Sequence, residues 1–169
     1  LTGDDSVVVG ANNGTIAAGQ SVVVGYNNKV LDNSQEQLIF GANSSSKGQG
    51  AVVVGTHANA LATDALAFGN NTVSDVQNGV AIGTNASVGT DTGLPTGTVI
   101  TGATAVGAYA EAQSENASAF GRNAKADKNA EKANRYHVFP SSTNNLFPYQ
   151  PMFVNYFHTT QNQYMVFWL

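Results

Sequence analysis

The side chains best suited to move protons near neutral pH are three histidines, His57, His137 and His158. They stand far apart along the chain, and no Ser-His-Asp spacing or carboxylate pair accompanies them. His57 falls where most copies of a repeated turn carry Asn, so it reads as a surface-turn residue. Gly19, Gly48, Gly50 and Gly89 do not make a phosphate loop, because no Gly-Lys-Ser/Thr follows a strand-like run. The chain has no cysteine, which excludes a disulfide framework and a thiolate zinc site. The glycine-aspartate nonapeptide that binds calcium is absent too. These residues predict a protein that is not an enzyme, with no catalytic residue, no cofactor and no metal. A net charge of −4 leaves no basic footprint, so nucleic acid is not an expected partner.

The strongest pattern is architectural. A glycine preceded by a short apolar run recurs at Gly10, Gly25, Gly41, Gly55, Gly69, Gly83, Gly107 and Gly121. Subtracting successive positions gives intervals of 15, 16, 14, 14, 14, 24 and 14 residues. A unit of about fourteen residues repeated with insertions is the mark of a solenoid, in which each unit is one rung covering its neighbour. The copies run from Ser6-Val7-Val8-Val9-Gly10 to Ala117-Ser118-Ala119-Phe120-Gly121. Their apolar run before the glycine predicts a strand buried on both faces. Left-handed β-helix acyltransferases are the enzymes nearest in shape, but they are built on a repeat of about six residues.

Period two then sorts the positions. The residues one and three before each glycine are bulky in the first six copies, as in Leu66 and Phe68, and are expected to fill the interior. The residue two before it is Val8, Val23, Ile39, Val53, Ala67, Ala81, Ala105 or Ala119, never polar. It is expected to face outward and to be covered by other chains, with Val53, Ala67, Ala81, Ala105 and Ala119 as the seam. After the glycine, positions three and five are small (Ser44 and Ser46, Ala58 and Ala60, Ala86 and Val88, Ala110 and Ala112, Ala124 and Ala126). Position four is mostly polar or small, as in Lys29, Ser45, Asn59, Ser87, Glu111 and Lys125. That predicts a second strand, small side inward and wet side outward. The eight glycines, with Asn12, Asn27, Asn43, Asn71, Asn85 and Asn123, supply turn chemistry. The Asn column is either plain turn propensity or a hydrogen-bonded ladder.

These residues carry a resemblance. Copies such as Gly79-Val80-Ala81-Ile82-Gly83-Thr84-Asn85-Ala86 are similar to the head repeats of trimeric autotransporter adhesins of the YadA-like type, over residues 6 to about 130. The resemblance implies an all-β fold, a left-handed parallel β-roll, with three rolls packed about one axis as a homotrimer. It implies an extracellular adhesin head on a bacterial surface, anchored in the outer membrane in the full-length protein. Its partners would be an extracellular matrix protein, or a host or neighbouring cell surface.

Two stretches depart from the repeat. Thr90 to Val99, with Pro95 and two glycines, is an inserted surface loop. Lys29 to Gln37 is a wider turn that brings Asp32 and Glu36 outward. The chain starts at Leu1 with no visible leader, which predicts a processed product or an excised piece. No apolar run reaches the length of about 20 residues that a membrane helix needs.

The division is thus 1–130 for the roll and 131–169 for a tail of another character. After Arg135 there is no charged residue, and ten of the fifteen aromatics fall in Tyr136 to Leu169. Pro140, Pro148 and Pro151 exclude the continuous coiled-coil stalk that the resemblance implies should follow. The same prolines interrupt membrane strands. The tail is a foreign or truncated end, a cap on the last rung, or a connector to a neighbouring trimer. An uncharged aromatic segment calls for burial, with Phe147, Phe153, Phe157, Tyr164, Phe167 and Trp168 as packing or connector residues. Two functions stay open: an adhesin head acting by multivalent display, and a structural subunit of an extracellular filament or virion-like fibre joined through the tail.

Overall fold

The computed structural model describes residues 5–14, 19–31, 35–89 and 100–126, and in the tail only the backbone of His158–Thr159 and Asn162–Gln163. The inserted loop at 90–99 and the six tail aromatics named above lie outside the described residues.

Within those bounds the protein is an all-strand parallel β-solenoid; no described residue is helical. The strand before each glycine gives β1 (Val7–Ala11), β2 (Val22–Tyr26), β4 (Leu38–Ala42), β6 (Val52–Thr56), β8 (Leu66–Phe68), β10 (Val80–Ile82), β12 (Thr104–Val106) and β14 (Ser118–Phe120). The strand after it gives β3 (Lys29–Val30), β5 (Ser45–Ser46), β7 (Asn59–Ala60), β9 (Val73–Ser74), β11 (Ser87–Val88), β13 (Glu111–Ala112) and β15 (Lys125–Ala126). The first set forms one eight-stranded sheet in chain order, the second a seven-stranded sheet facing it. A separate antiparallel pair joins β16 (His158–Thr159) to β17 (Asn162–Gln163).

Register is set glycine upon glycine: Gly10 pairs with Gly25, Gly25 with Gly41 and Gly41 with Gly55. A side chain cannot be added there. A Cβ on Gly41 would stand 1.9 Å from the Gly55 carbonyl oxygen, and one on Gly55 2.1 Å from that of Gly69. Each rung then turns two corners through left-handed backbone. One is two residues past the glycine, at Asn12, Asn27, Asn43, His57, Asn71, Asn85, Tyr109 and Asn123. The other lies five residues before it, at Asp5, Gln20, Glu36, Asp64, Asn78 and Asn116, with Gly50 and Gly102 in the same column. Asn and Asp reach this conformation at low cost, which is why the corners select them.

The interior corrects the expected facing of the first strand. The residues two before the glycine are inside the single roll: Val23, Ile39, Val53, Ala67, Ala81 and Ala105 have 0% exposure and Ala119 1%. The residues expected inside are on the outer face, with Val9 55% exposed, Phe68 49%, Phe40 44% and Phe120 41%, and Val54 and Ile82 half-buried. The reason is the width of the roll. Side chains from both sheets and both corners converge on one narrow core, which admits nothing larger than Ile39, Gln37 or Val on the axis. Aromatic rings cannot fit, so bulk marks the outside. Val53, Ala67, Ala81, Ala105 and Ala119 therefore fill the core of each roll and cannot form a seam between rolls. The second strand is as expected: Ser44, Ser46, Ala58, Ala60, Ala86, Val88, Ala110, Ala112, Ala124 and Ala126 are buried, while Lys29, Ser45, Asn59, Ser87, Glu111 and Lys125 face out, exposed or half-buried.

Candidate assembly and binding surface

Two surfaces result, of opposite character. The outer face of the eight-stranded sheet carries paired apolar columns. Val22, Leu38, Val52, Leu66 and Val80 are half-buried three residues before the glycine; Phe40, Phe68 and Phe120 are exposed one residue before it. In-register pairing places Phe40 over Val54, Val54 over Phe68, Phe68 over Ile82 and Val106 over Phe120, so the column is continuous. None of β2, β4, β6, β8, β10, β12 or β14 presents a charged residue to this face. A continuous apolar stripe of this kind on an outer face marks a contact surface.

The outer face of the seven-stranded sheet is polar. Lys125 and Glu111, on adjacent strands β15 and β13, form an ion pair of 2.8 Å, and the Gln113 amide donates to Glu111 at 3.1 Å. Both partners of the ion pair are well exposed, so it contributes little. Partial burial raises the Asp75 carboxyl above its ordinary range, with Lys47 pulling the other way.

The corner beside these sheets shows how the Asn column works. Its left-handed dihedrals make turn conformation the general role, and a side-chain ladder forms at one step, where Asn27 Nδ2 donates to Asn43 Oδ1 at 2.7 Å. The more extensive ladder lies one residue deeper. Asn13 donates to the Gly25 carbonyl at 3.1 Å, Asn28 to Gly41 at 2.8 Å, Ser44 to Gly55 at 2.9 Å and Thr72 to Gly83 at 2.8 Å. In return Asn13 Oδ1 accepts the Asn28 N–H, Asn28 Oδ1 the Ser44 N–H and Ser44 Oγ the Ala58 N–H, each at 3.1 Å. Where the column becomes Ala86, Ala110 and Ala124, these N–H groups close a local turn on Gly83, Gly107 and Gly121 at 3.2 Å. The sequence reading missed this inner ladder; its signal was the change from Asn and Ser to Ala at the third residue past the glycine.

His57 sits at this corner, exposed, with φ 55. Among the described residues no three His, Asp or Glu side chains cluster so as to hold a metal ion. No helix of the described residues is long and apolar enough to cross a membrane, which leaves membrane β-barrels aside.

An in-register parallel β-solenoid with one apolar and one polar outer face defines the class of protein. The family model described as YadA head domain repeat (2 copies) matches residues 46–72, 60–86 and 101–127. Residues 46 to 127 thus contain YadA head domain repeats, and adhesin-type function on a surface-exposed head is the reading that this family supports. Comparison with curated proteins gave no match.

Proposed function

We propose that this chain is the head of a trimeric adhesin, three rolls associating through the outer faces of their eight-stranded sheets. The observation that carries the reading is the outward column Phe40, Val54, Phe68, Ile82, Val106 and Phe120, uncharged and continuous along the roll, with its three phenylalanines exposed. Exposed rings of about 150 to 250 Å² each are costly in water and favour association. The number three comes from the head family. The polar sheets and corners are then left outward in three copies. Repetition multiplies a weak contact with matrix or cell surface by raising effective concentration. Equilibrium sedimentation tests this: the unmodified chain is expected as a trimer, and Phe68→Arg as a monomer that keeps its strand circular dichroism. An unmodified chain that sediments as a monomer refutes the reading.

A further inference from the structure

The sequence holds five Asn-x-Ser/Thr triplets, starting at Asn13, Asn43, Asn70, Asn85 and Asn116. Such a triplet is an acceptor for an N-linked sugar only where both the amide and the hydroxyl can be reached. The roll separates the five. Asn13 has both ends of its amide engaged inside, its Oδ1 by Asn28 and its Nδ2 by the Gly25 carbonyl. Asn70 is exposed, but its partner Thr72 is buried and donates its hydroxyl to the Gly83 carbonyl at 2.8 Å.

Asn43 and Asn85 are different, and they are equivalent to each other. Both sit at the left-handed corner two residues past a repeat glycine, with φ of 54 and 55. Their middle residues, Ser44 and Ala86, point into the core at 0% exposure. On either side of them, Asn43 with Ser45, and Asn85 with Ser87, reach the surface. Asn43 is exposed, while Asn85, Ser45 and Ser87 are half-exposed. The Asn43 side-chain Oδ1 accepts from Asn27 Nδ2, which engages the oxygen end of the amide and not its Nδ2. Strands β5 and β11 are separated by β7 and β9 in the sheet. The two sites therefore lie three rungs apart, roughly 14 Å at the spacing of neighbouring strands, with Ser45 and Ser87 in the sheet that faces the one carrying the phenylalanine column. Asn116 lies at the other corner, and its Ser118 shares the face of Phe120.

We propose that Asn43 and Asn85 are glycosylation acceptors on the folded roll. The donor is a sugar carried on a diphosphate. Asn Nδ2 attacks the anomeric carbon, a C–N bond forms, and the C–O bond to the diphosphate breaks. The diphosphate leaves with the electron pair, and the amide proton passes to a base of the transferase. The assignment goes beyond the trimer reading, on which only the exclusion of Asn116 rests.

The test is glycopeptide mapping and intact mass of the full chain isolated from the cells that display it. The expected result is one added glycan at each of Asn43 and Asn85, with Asn13, Asn70 and Asn116 bare. Ser45→Ala is expected to remove the mass at Asn43 alone, Ser87→Ala that at Asn85 alone, and Ser45→Thr to keep it. Bare Asn43 and Asn85 overturn the proposal, as does equal occupancy of Asn13 and Asn70, which would mean that the triplet and not its place in the roll decides. An occupied Asn116 beside occupied Asn43 and Asn85 would support the acceptors and overturn the covered face, an outcome that sedimentation reads separately.

Discussion

A repeat glycine answers to two constraints at once, and neither is local propensity. Gly55 has φ +142, and the space its side chain would take holds the Gly69 carbonyl oxygen. Gly55→Ala must both strain the backbone and push rungs apart. It is expected to destabilise by at least about 1–3 kcal/mol, the usual cost of one strained position, measured as a fall in the thermal midpoint. Asp75 offers a milder test with a definite sign. Its folded-state pKa is raised by desolvation, so the ionised form is held less well in the roll than in the unfolded chain. Stability from this group is therefore greatest at low pH and is lost as pH rises through the carboxylate range. Asp75→Asn is expected to raise the melting temperature at neutral pH, with the gain vanishing in acid. An equal gain at both pH values would contradict this.

At the scale of the element, each strand before a glycine has an inside and an outside that demand different chemistry. Ala81 has no exposure, while its neighbour Ile82 is half-buried on the outer face. Ala81→Arg would bury an unpaired charge in the core, at a cost of about 3–5 kcal/mol or more, and is expected to abolish strand circular dichroism. Ile82→Arg is expected to leave that signal and weaken association. The reverse pairing of outcomes would restore the facing expected from bulk. The inner ladder is an element of the same kind. Asn28→Ala removes the donor to Gly41 and the acceptor of the Ser44 N–H, leaving buried groups unpaired. A loss of about 1–3 kcal/mol is expected, seen as a lower denaturant midpoint and as faster hydrogen exchange at Ser44.

For the whole molecule, the solenoid arrangement means that each rung contacts its neighbours and little else, so stability is additive along the axis. The core divides accordingly. One apolar cluster runs from Val23 to Ala67 and another from Val76 to Ala126, with the buried polar pair Thr72 and Ser74 where they meet. Ser74 Oγ has no hydrogen-bond partner there. Ser74→Ala, which matches the other alanines of that column, is expected to be neutral or stabilising by up to about 1 kcal/mol. A rung count of eight in the first sheet puts the stack at roughly 40 Å at strand spacing, long enough to carry the whole apolar column along one side.

Residue types alone determined the period, the strand before each glycine, the small inward side of the second strand and the Asn corners. Each of these leaves its mark in residue type: a corner needs left-handed backbone, and a glycine stacked under the next rung's carbonyl tolerates no side chain. The facing of the first strand was not legible, because Val52, Val53 and Val54 are apolar on both sides and alternation carries no sign when nothing alternates. Only the convergence of two sheets and two corners on one narrow core decided that Val53 goes in and Val54 goes out. The tertiary structure also decided which Asn-x-Ser/Thr triplets can be reached, since the hydroxyl of Thr72 and the amide of Asn13 are spent on carbonyls of the next rung, partners distant in sequence that adjoin only when the chain is wound.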